Sequence, residues 1–240
     1  MKLQKLLSLV RRACEDYDMI GRGETIAVAL SGGKDSLATL AALSEMRRFY
    51  PKRYELCAIT VDLGFSGFDA GGLAKYCEKI GVPYSVALTN IGSVVFEERK
   101  EKNPCSLCAK MRKGALNAEA ARLGCASVAY GHNRDDIVQT FFMSLLYEGR
   151  LNAPGPVSFL DRTGLRSIRP LIYAPEKDVA GFAKKYSLPV VKSPCPADGS
   201  TKREETKRLI AELRGRYKNF DSIVWNAVRQ LFNNPGAGEA

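Results

Sequence analysis

A chain of 240 residues with 36 lysines and arginines against 26 aspartates and glutamates has a net charge of +10, a positive field that favours polyanions, nucleic acid first among them. Hydrophobic residues at 45% and charged residues at 26% suit a folded chain with a sizeable core and exclude a disordered or collagen-like one. No leader pattern follows Met1 and no apolar run approaches the roughly 18 residues of a membrane span, while seven cysteines make an odd number in a chain too long to need stapling.

These features predict a cytoplasmic protein whose thiols are reduced or bind metal. Leu3, Leu6, Leu7, Val10, Ala13, Cys14 and Tyr17 recur at helical spacing, predicting an amphipathic helix over residues 3–17 closed by the Gly21-Arg22-Gly23 turn. An apolar strand over 25–30 follows, then Ser31-Gly32-Gly33-Lys34-Asp35-Ser36, then a helix over 37–49 ended before Pro51. A second strand over 54–61 meets Asp62, a helix spans about 70–80, and a third strand spans 84–88. This alternation predicts a parallel α/β sheet.

Residues 90–103 are charged and aperiodic; a helix begins at the Cys105-Ser106-Leu107-Cys108 run and reaches about Leu123. A fourth strand over 127–130 leads into Gly131-His132-Asn133-Arg134-Asp135-Asp136, and an apolar helix covers 137–147. Residues 149–163, rich in Gly and Pro, read as an excursion loop. A short strand over 168–171, a helix over 175–186, a short strand over 189–191, the Cys195 turn and a basic helix over 202–214 complete the pattern. The expected division is an N-terminal helix over 1–20, a catalytic domain over 21–214, and a helix with a flexible tail over 215–240.

The first loop lies between strand and helix, where backbone N–H groups and the helix dipole favour an anion. Gly32 and Gly33 allow close backbone approach, Ser31 and Ser36 offer hydroxyls, Lys34 brings a charge, and Asp35 suits Mg²⁺. The spacing is neither that of the Walker loop nor that of the dinucleotide fingerprint. Asp62, Gly131, His132, Asp135 and Asp136 belong at the same sheet edge, because ligands of open α/β sheets bind outside the carboxyl ends of the strands. Asp135 has a second reading, as the cap of the following helix.

Cys105 and Cys108 have the spacing of a metal or redox pair, and Cys195 sits alone between two prolines. Cys14, Cys57, Cys77 and Cys125 fit strand or helix patterns as small core residues. Three thiols fall one short of a structural zinc site. They fit a [4Fe-4S] cluster with one open iron, a zinc ion with a further donor or water, or a persulfide relay.

Ser31-Gly32-Gly33-Lys34-Asp35-Ser36 resembles the PP-loop of the N-type ATP pyrophosphatases, which include GMP synthetase, tRNA lysidine synthetase and tRNA thiolases. That resemblance implies an adenine nucleotide alpha hydrolase-like, Rossmann-like fold with helices on both faces of a parallel sheet, and cleavage of ATP to AMP and pyrophosphate. The run from Cys105 to Gly114, that from Gly131 to Thr140, and Ile168-Arg169-Pro170-Leu171 look like the bacterial tRNA-cytidine(32) 2-sulfurtransferase family, over nearly the whole chain. By resemblance, Lys34 and Asp35 serve catalysis with Cys105, Cys108 and Cys195, and those three cysteines hold a [4Fe-4S] cluster. Ser31, Gly32, Gly33, Ser36, Asp62, Gly131, His132, Asp135 and Asp136 take part in binding ATP and Mg²⁺.

Implied partners are tRNA and a sulfur donor such as a cysteine desulfurase or inorganic sulfide, with no membrane and with room for a homodimer. Candidate RNA contacts are Arg99, Lys100, Lys102, Lys110, Arg112 and Lys113 beside the first pair of cysteines, and Lys202, Arg203, Lys207 and Arg208 after the third. The chain departs from the family where many members have a second C-x-x-C: it reads Cys195-Pro196-Ala197-Asp198, so Asp198 stands in the last cysteine's place.

Overall fold

The computed structural model describes residues 1–65, 67, 69–99, 104–160, 163–191, 195 and 202–233. Its sheet has six strands in the order β3-β2-β1-β4-β6-β5: β1 (Glu24–Ala29), β2 (Tyr54–Asp62), β3 (Tyr84–Leu88), β4 (Ser127–Ala129), β5 (Val157–Leu160) and β6 (Leu165–Ile168). The first four and β6 run parallel, as expected, and β5 pairs antiparallel to β6 at one edge. A connection as short as the one between β5 and β6 permits only an antiparallel pair. The chain builds outward from β1 through β2 to β3, then returns to lay β4 on the other side of β1. The strand order therefore reverses between β1 and β4, and the carboxyl ends of these two strands open a crevice.

Alternation along the strands sorts side chains between two faces. Ile26, Val28, Leu56, Ala58, Ala129 and Ile168 point into the larger core, which also takes Leu6 and Val10 of α1 (Leu3–Asp16), Leu37 and Leu40 of α2 (Lys34–Met46), and Leu73 of α3 (Gly71–Lys79). Ala27, Cys57, Ile59, Val128 and Leu165 face the other way, onto Leu116 and Ala120 of α5 (Pro104–Arg122). Each fully buried leucine contributes about 1.5–3 kcal/mol relative to exposure, so the helices on both faces are held mainly by this burial. Between α3 and α5 lies a short helical turn, α4 (Ile91–Ser93), continued by a π-helical turn over Val94–Glu98.

The larger core also takes Ile137 of α6 (Arg134–Met143), Val179 and Phe182 of α7 (Glu176–Lys185), Ile210 of α8 (Lys202–Arg216), and Trp225 and Val228 of α9 (Phe220–Asn233). The first and last helices thus share one core, and the Tyr17 and Phe232 rings meet edge to face at 6.2 Å. No helix among the described residues is long and apolar enough to cross a membrane.

Five expectations need correction. Residues 149–163 include strand β5, and 91–98 are helical rather than irregular. The strand expected over 168–171 lies over Leu165–Ile168, because Pro170 has no N–H to give a ladder. Residues 189–191 form no strand; the Val191 N–H makes an isolated bond to the Gly32 carbonyl at 3.0 Å. Helix α6 begins at Arg134 and passes into a π-helical turn over Ser144–Glu148.

Candidate active site

The loop after β1 turns through Gly32, whose φ of +82° suits glycine, and whose missing side chain leaves room for Val191: a Cβ at Gly32 would stand 3.1 Å from that of Val191. Ser36 holds the turn closed. Its Oγ donates to the Gly33 carbonyl at 2.9 Å and accepts the Ser31 N–H at 3.2 Å, with the Ser31 hydroxyl also 3.2 Å away. Helix α2 starts directly after Gly33, so its free N–H groups face the crevice, as an anion requires.

The second wall comes from the loop after β4. A Cβ on Gly131 would stand 2.8 Å from the Ser36 nitrogen, so only glycine lets the two loops meet. Asn133 caps α6, accepting from the Asp135 and Asp136 N–H groups at 2.9 and 3.1 Å, and the Asp136 carboxylate accepts the Asn133 N–H in return. This reciprocal capping box, built on Asn133, replaces the cap expected of Asp135. Asn133 Nδ2 also donates to Asp35 Oδ1 at 3.0 Å, binding the second loop to the first.

Between these loops lies a cleft of about 610 Å³ lined by Ser31, Gly33, Asp35, Ser36, Asp62, Gly131, His132 and Asp136. Its far wall is α5, through Ala109, Arg112, Lys113 and Leu116. Asp62 accepts the Gly64 N–H at 2.8 Å. Lys34 lies beside the cleft, its ammonium on Asp35 at 2.8 Å and on Glu176 at 3.2 Å. Burial opposes its charge, but Asp35 and Glu176 outweigh that and leave its pKa raised.

Asp135, expected at the cleft, lies outside it. Its Oδ2 accepts the Glu176 N–H at 2.7 Å and its Oδ1 takes Arg214, which also reaches Asp221. Neighbouring helical residues are rotated by about 100°, so only Asp136 of the pair faces the cleft. Burial, together with the charges of Asp35 and Glu176, pushes the Asp136 carboxyl up to about 6, against the Asn133 N–H and Arg203. His132 stacks on Tyr130 at 5.7 Å, and its buried Nδ1 finds no partner among the described residues. Burial first, then Arg169 and Arg203, lower its pKa to about 4, so the ring is neutral near pH 7.

The cysteines divide as their patterns predict in placement: Cys14, Cys57, Cys77 and Cys125 are buried in the cores. Cys105 is exposed in the first turn of α5, Cys108 is packed beside Ile91 and Val95, and Cys195 is half-buried. Burial raises the Cys108 pKa; Arg112 opposes this, while charge on Cys195 and Cys105 adds to it. Among the described residues no three His, Cys, Asp or Glu side chains are close enough to hold a metal ion as they stand. Asp198, Lys100 and Lys102 lie outside the described residues.

Three residues of this site went unmarked in the sequence. Glu176 reads only as an acidic helix start after Pro175, and Arg169 only as part of a strand end within the run that carries the family resemblance, with no role of its own. Asn133 carried a usable signal, since an Asn three residues before Asp136 has capping-box spacing.

A glycine-rich loop at the reversal point of a parallel sheet, with serine and lysine at a helix start, defines a nucleotide-binding α/β protein of the PP-loop class. The sequence pattern of the PP-loop domain matches residues 5–213. The chain is 36% identical over 236 residues to a tRNA-cytidine(32) 2-sulfurtransferase of Geobacter sulfurreducens, covering 97% of this chain and 91% of that one. It is 38% identical over 233 residues to one from an Anaeromyxobacter strain, covering 95% and 79%. The solved U34-tRNA thiolase NcsA from Methanococcus maripaludis, with its [4Fe-4S] cluster, superposes with a TM-score of 0.78 at 27% identity, over 96% of this chain and 78% of that one. The chain belongs to the tRNA-cytidine(32) 2-sulfurtransferase family of PP-loop ATP pyrophosphatases.

Proposed function

We propose that the chain thiolates cytidine 32 of tRNA in the cytoplasm, adenylating the C2 oxygen with ATP and replacing that oxygen with sulfur. One observation carries this reading: a single cleft has the phosphate loop on one wall and the C-x-x-C helix on the other. Two reactants destined for one ring carbon need such a shared space.

The chemistry follows from the groups in place. The loop N–H groups, the Ser31 and Ser36 hydroxyls and Lys34 hold the β- and γ-phosphates, while Asp35 and Asp136 are placed to hold the Mg²⁺ that neutralises phosphate charge. The pyrimidine C2 oxygen attacks the α-phosphorus and pyrophosphate leaves; sulfur then attacks C2, and the oxygen departs with AMP. His132, neutral at working pH, offers a hydrogen bond without adding charge. Arg112 and Lys113 bring positive charge to the α5 wall, where an RNA backbone approaches.

Cys105, Cys108 and Cys195 would be the donors to a [4Fe-4S] cluster: Cys105 is exposed in the first turn of α5, where helix N–H groups favour a thiolate, Cys108 follows it by three residues, and Cys195 is half-buried. Such a cluster, held by these three cysteines, would carry sulfur from an external donor to the cleft. A cysteine desulfurase or inorganic sulfide provides that sulfur. The test is mass spectrometry of tRNA nucleosides from a strain lacking the chain, beside AMP formation by the purified enzyme. Loss of 2-thiocytidine supports the reading; unchanged 2-thiocytidine with loss of a thiouridine moves the target, and no change in any thionucleoside sinks it.

A further inference from the structure

Glu176 is shared by two ammonium groups. Lys34 Nζ stands 3.2 Å from its Oε1 and Lys207 Nζ 3.2 Å from its Oε2. Lys34 belongs to the phosphate loop, Glu176 opens α7, and Lys207 lies in the second turn of α8. The carboxylate is only 28% exposed, so losing both cations at once is unfavourable. Lys34 can leave for a phosphate because Lys207 remains to neutralise Glu176.

We propose that Glu176 is a positioning residue that takes Lys34 back from the leaving pyrophosphate, with Lys207 as the counter-ion that lets Lys34 depart. The proposal rests on the adenylation reading and adds to it a device for product release. While ATP is bound, Lys34 exchanges Glu176 for phosphate oxygens. After adenylyl transfer the same carboxylate competes for the ammonium, and pyrophosphate loses its hold. No covalent step is added; one ion pair is exchanged for another.

The experiment titrates magnesium pyrophosphate into the full chain, without tRNA, by calorimetry. Glu176→Gln is expected to bind about two- to fivefold tighter than wild type, the scale of one partly exposed ion pair. Lys207→Met is expected to bind more weakly by a similar factor, because Glu176 then depends on Lys34 alone. Glu176→Asp keeps the charge but shortens the reach by one methylene, and it too is expected to bind tighter. Wild-type affinity in Glu176→Asp beside tighter binding in Glu176→Gln would assign the effect to general charge and overturn the proposal. Unchanged or weaker binding by Glu176→Gln, or no binding by any of the four proteins, would also overturn it. In turnover, Glu176→Gln should lower both KM for ATP and kcat for AMP formation; a more than tenfold slower single-turnover adenylation would instead give Glu176 a direct role in the chemistry and overturn the proposal. The affinities are read without catalysis, so they stand or fall apart from the adenylation reading, which a lack of AMP formation by wild-type enzyme would sink.

Discussion

Asn133 donates through Nδ2 to Asp35 Oδ1 at 3.0 Å while its own Oδ1 caps helix α6. One side chain thus sets the start of α6 and the orientation of a carboxylate at the start of α2. The two roles separate by substitution. Asn133→Ser keeps a capping oxygen but loses the reach to Asp35, whereas Asn133→Ala loses both. AMP formation should fall in both variants, and Asn133→Ala should in addition lose about 1 kcal/mol of stability. Thermal melts and AMP assays on the pair decide it; full activity in Asn133→Ser would remove Asp35 orientation from the account.

Cluster content should depend on three thiols and no others. Anaerobic reconstitution of wild-type protein is expected to load about four irons per chain, and Cys→Ser at Cys105, Cys108 or Cys195 should each abolish that loading. Cys→Ala at Cys14, Cys57, Cys77 or Cys125, which lie in the cores, should leave it in place. Iron and sulfide analysis gives the answer, and full loading of Cys195→Ser would remove Cys195 from the cluster and favour the persulfide relay.

Two groups of the site titrate against each other. The Asp136 carboxyl, pushed up to about 6, binds more protons in the folded than in the unfolded chain from about pH 4 to 6, so it removes stability as pH rises. His132, lowered to about 4, binds fewer protons when folded from about pH 4 to 6.5, so its contribution is lost as pH falls. The two slopes oppose. Urea unfolding of wild-type protein should be nearly flat in this window with respect to these groups. Asp136→Asn should expose the histidine limb, with stability falling towards pH 4, and His132→Gln the carboxylate limb, with stability falling towards pH 6. Parallel slopes in the two variants would contradict the assignment.

Binding of tRNA should weaken by roughly 10³- to 10⁵-fold between about 50 and 200 mM salt if about 6–10 phosphates are contacted. Arg203 and Lys207 already face Asp136 and Glu176, whereas Lys110 is exposed on α5. Lys110→Ala should therefore reduce the logarithmic salt slope by about one unit. Filter binding over a salt series checks this, and a flat response in wild type would exclude backbone contacts.

The parallel sheet was legible because its buried strands read as short apolar runs between turn residues, as over Thr25–Ala29 between the Gly21-Arg22-Gly23 turn and Ser31-Gly32-Gly33. Strand β5 was not, since Val157–Leu160 is four residues long and follows a stretch of Gly and Pro that masks its alternation. The phosphate loop was legible from local spacing alone. The fate of Asp135 was not, because its partners Arg214 and the Glu176 N–H lie 79 and 41 positions away. Long charged side chains choose among many partners, and one sequence does not record the choice. For the same reason the sequence did not show that Arg203 and Lys207, candidate RNA contacts, also pair with Asp136 and Glu176.

The ion pair between Lys34 and Glu176 spans 142 positions, and the bond between Asn133 and Asp35 spans 98. During synthesis the phosphate loop leaves the ribosome early, yet the residues that give it shape follow much later. Contacts so distant in sequence form late, after shorter loops have closed. A half-made chain therefore carries the loop without a working crevice and cannot spend ATP. In a refolding experiment the return of AMP formation should lag behind the return of helix signal, making activity a clock for the last stage of folding.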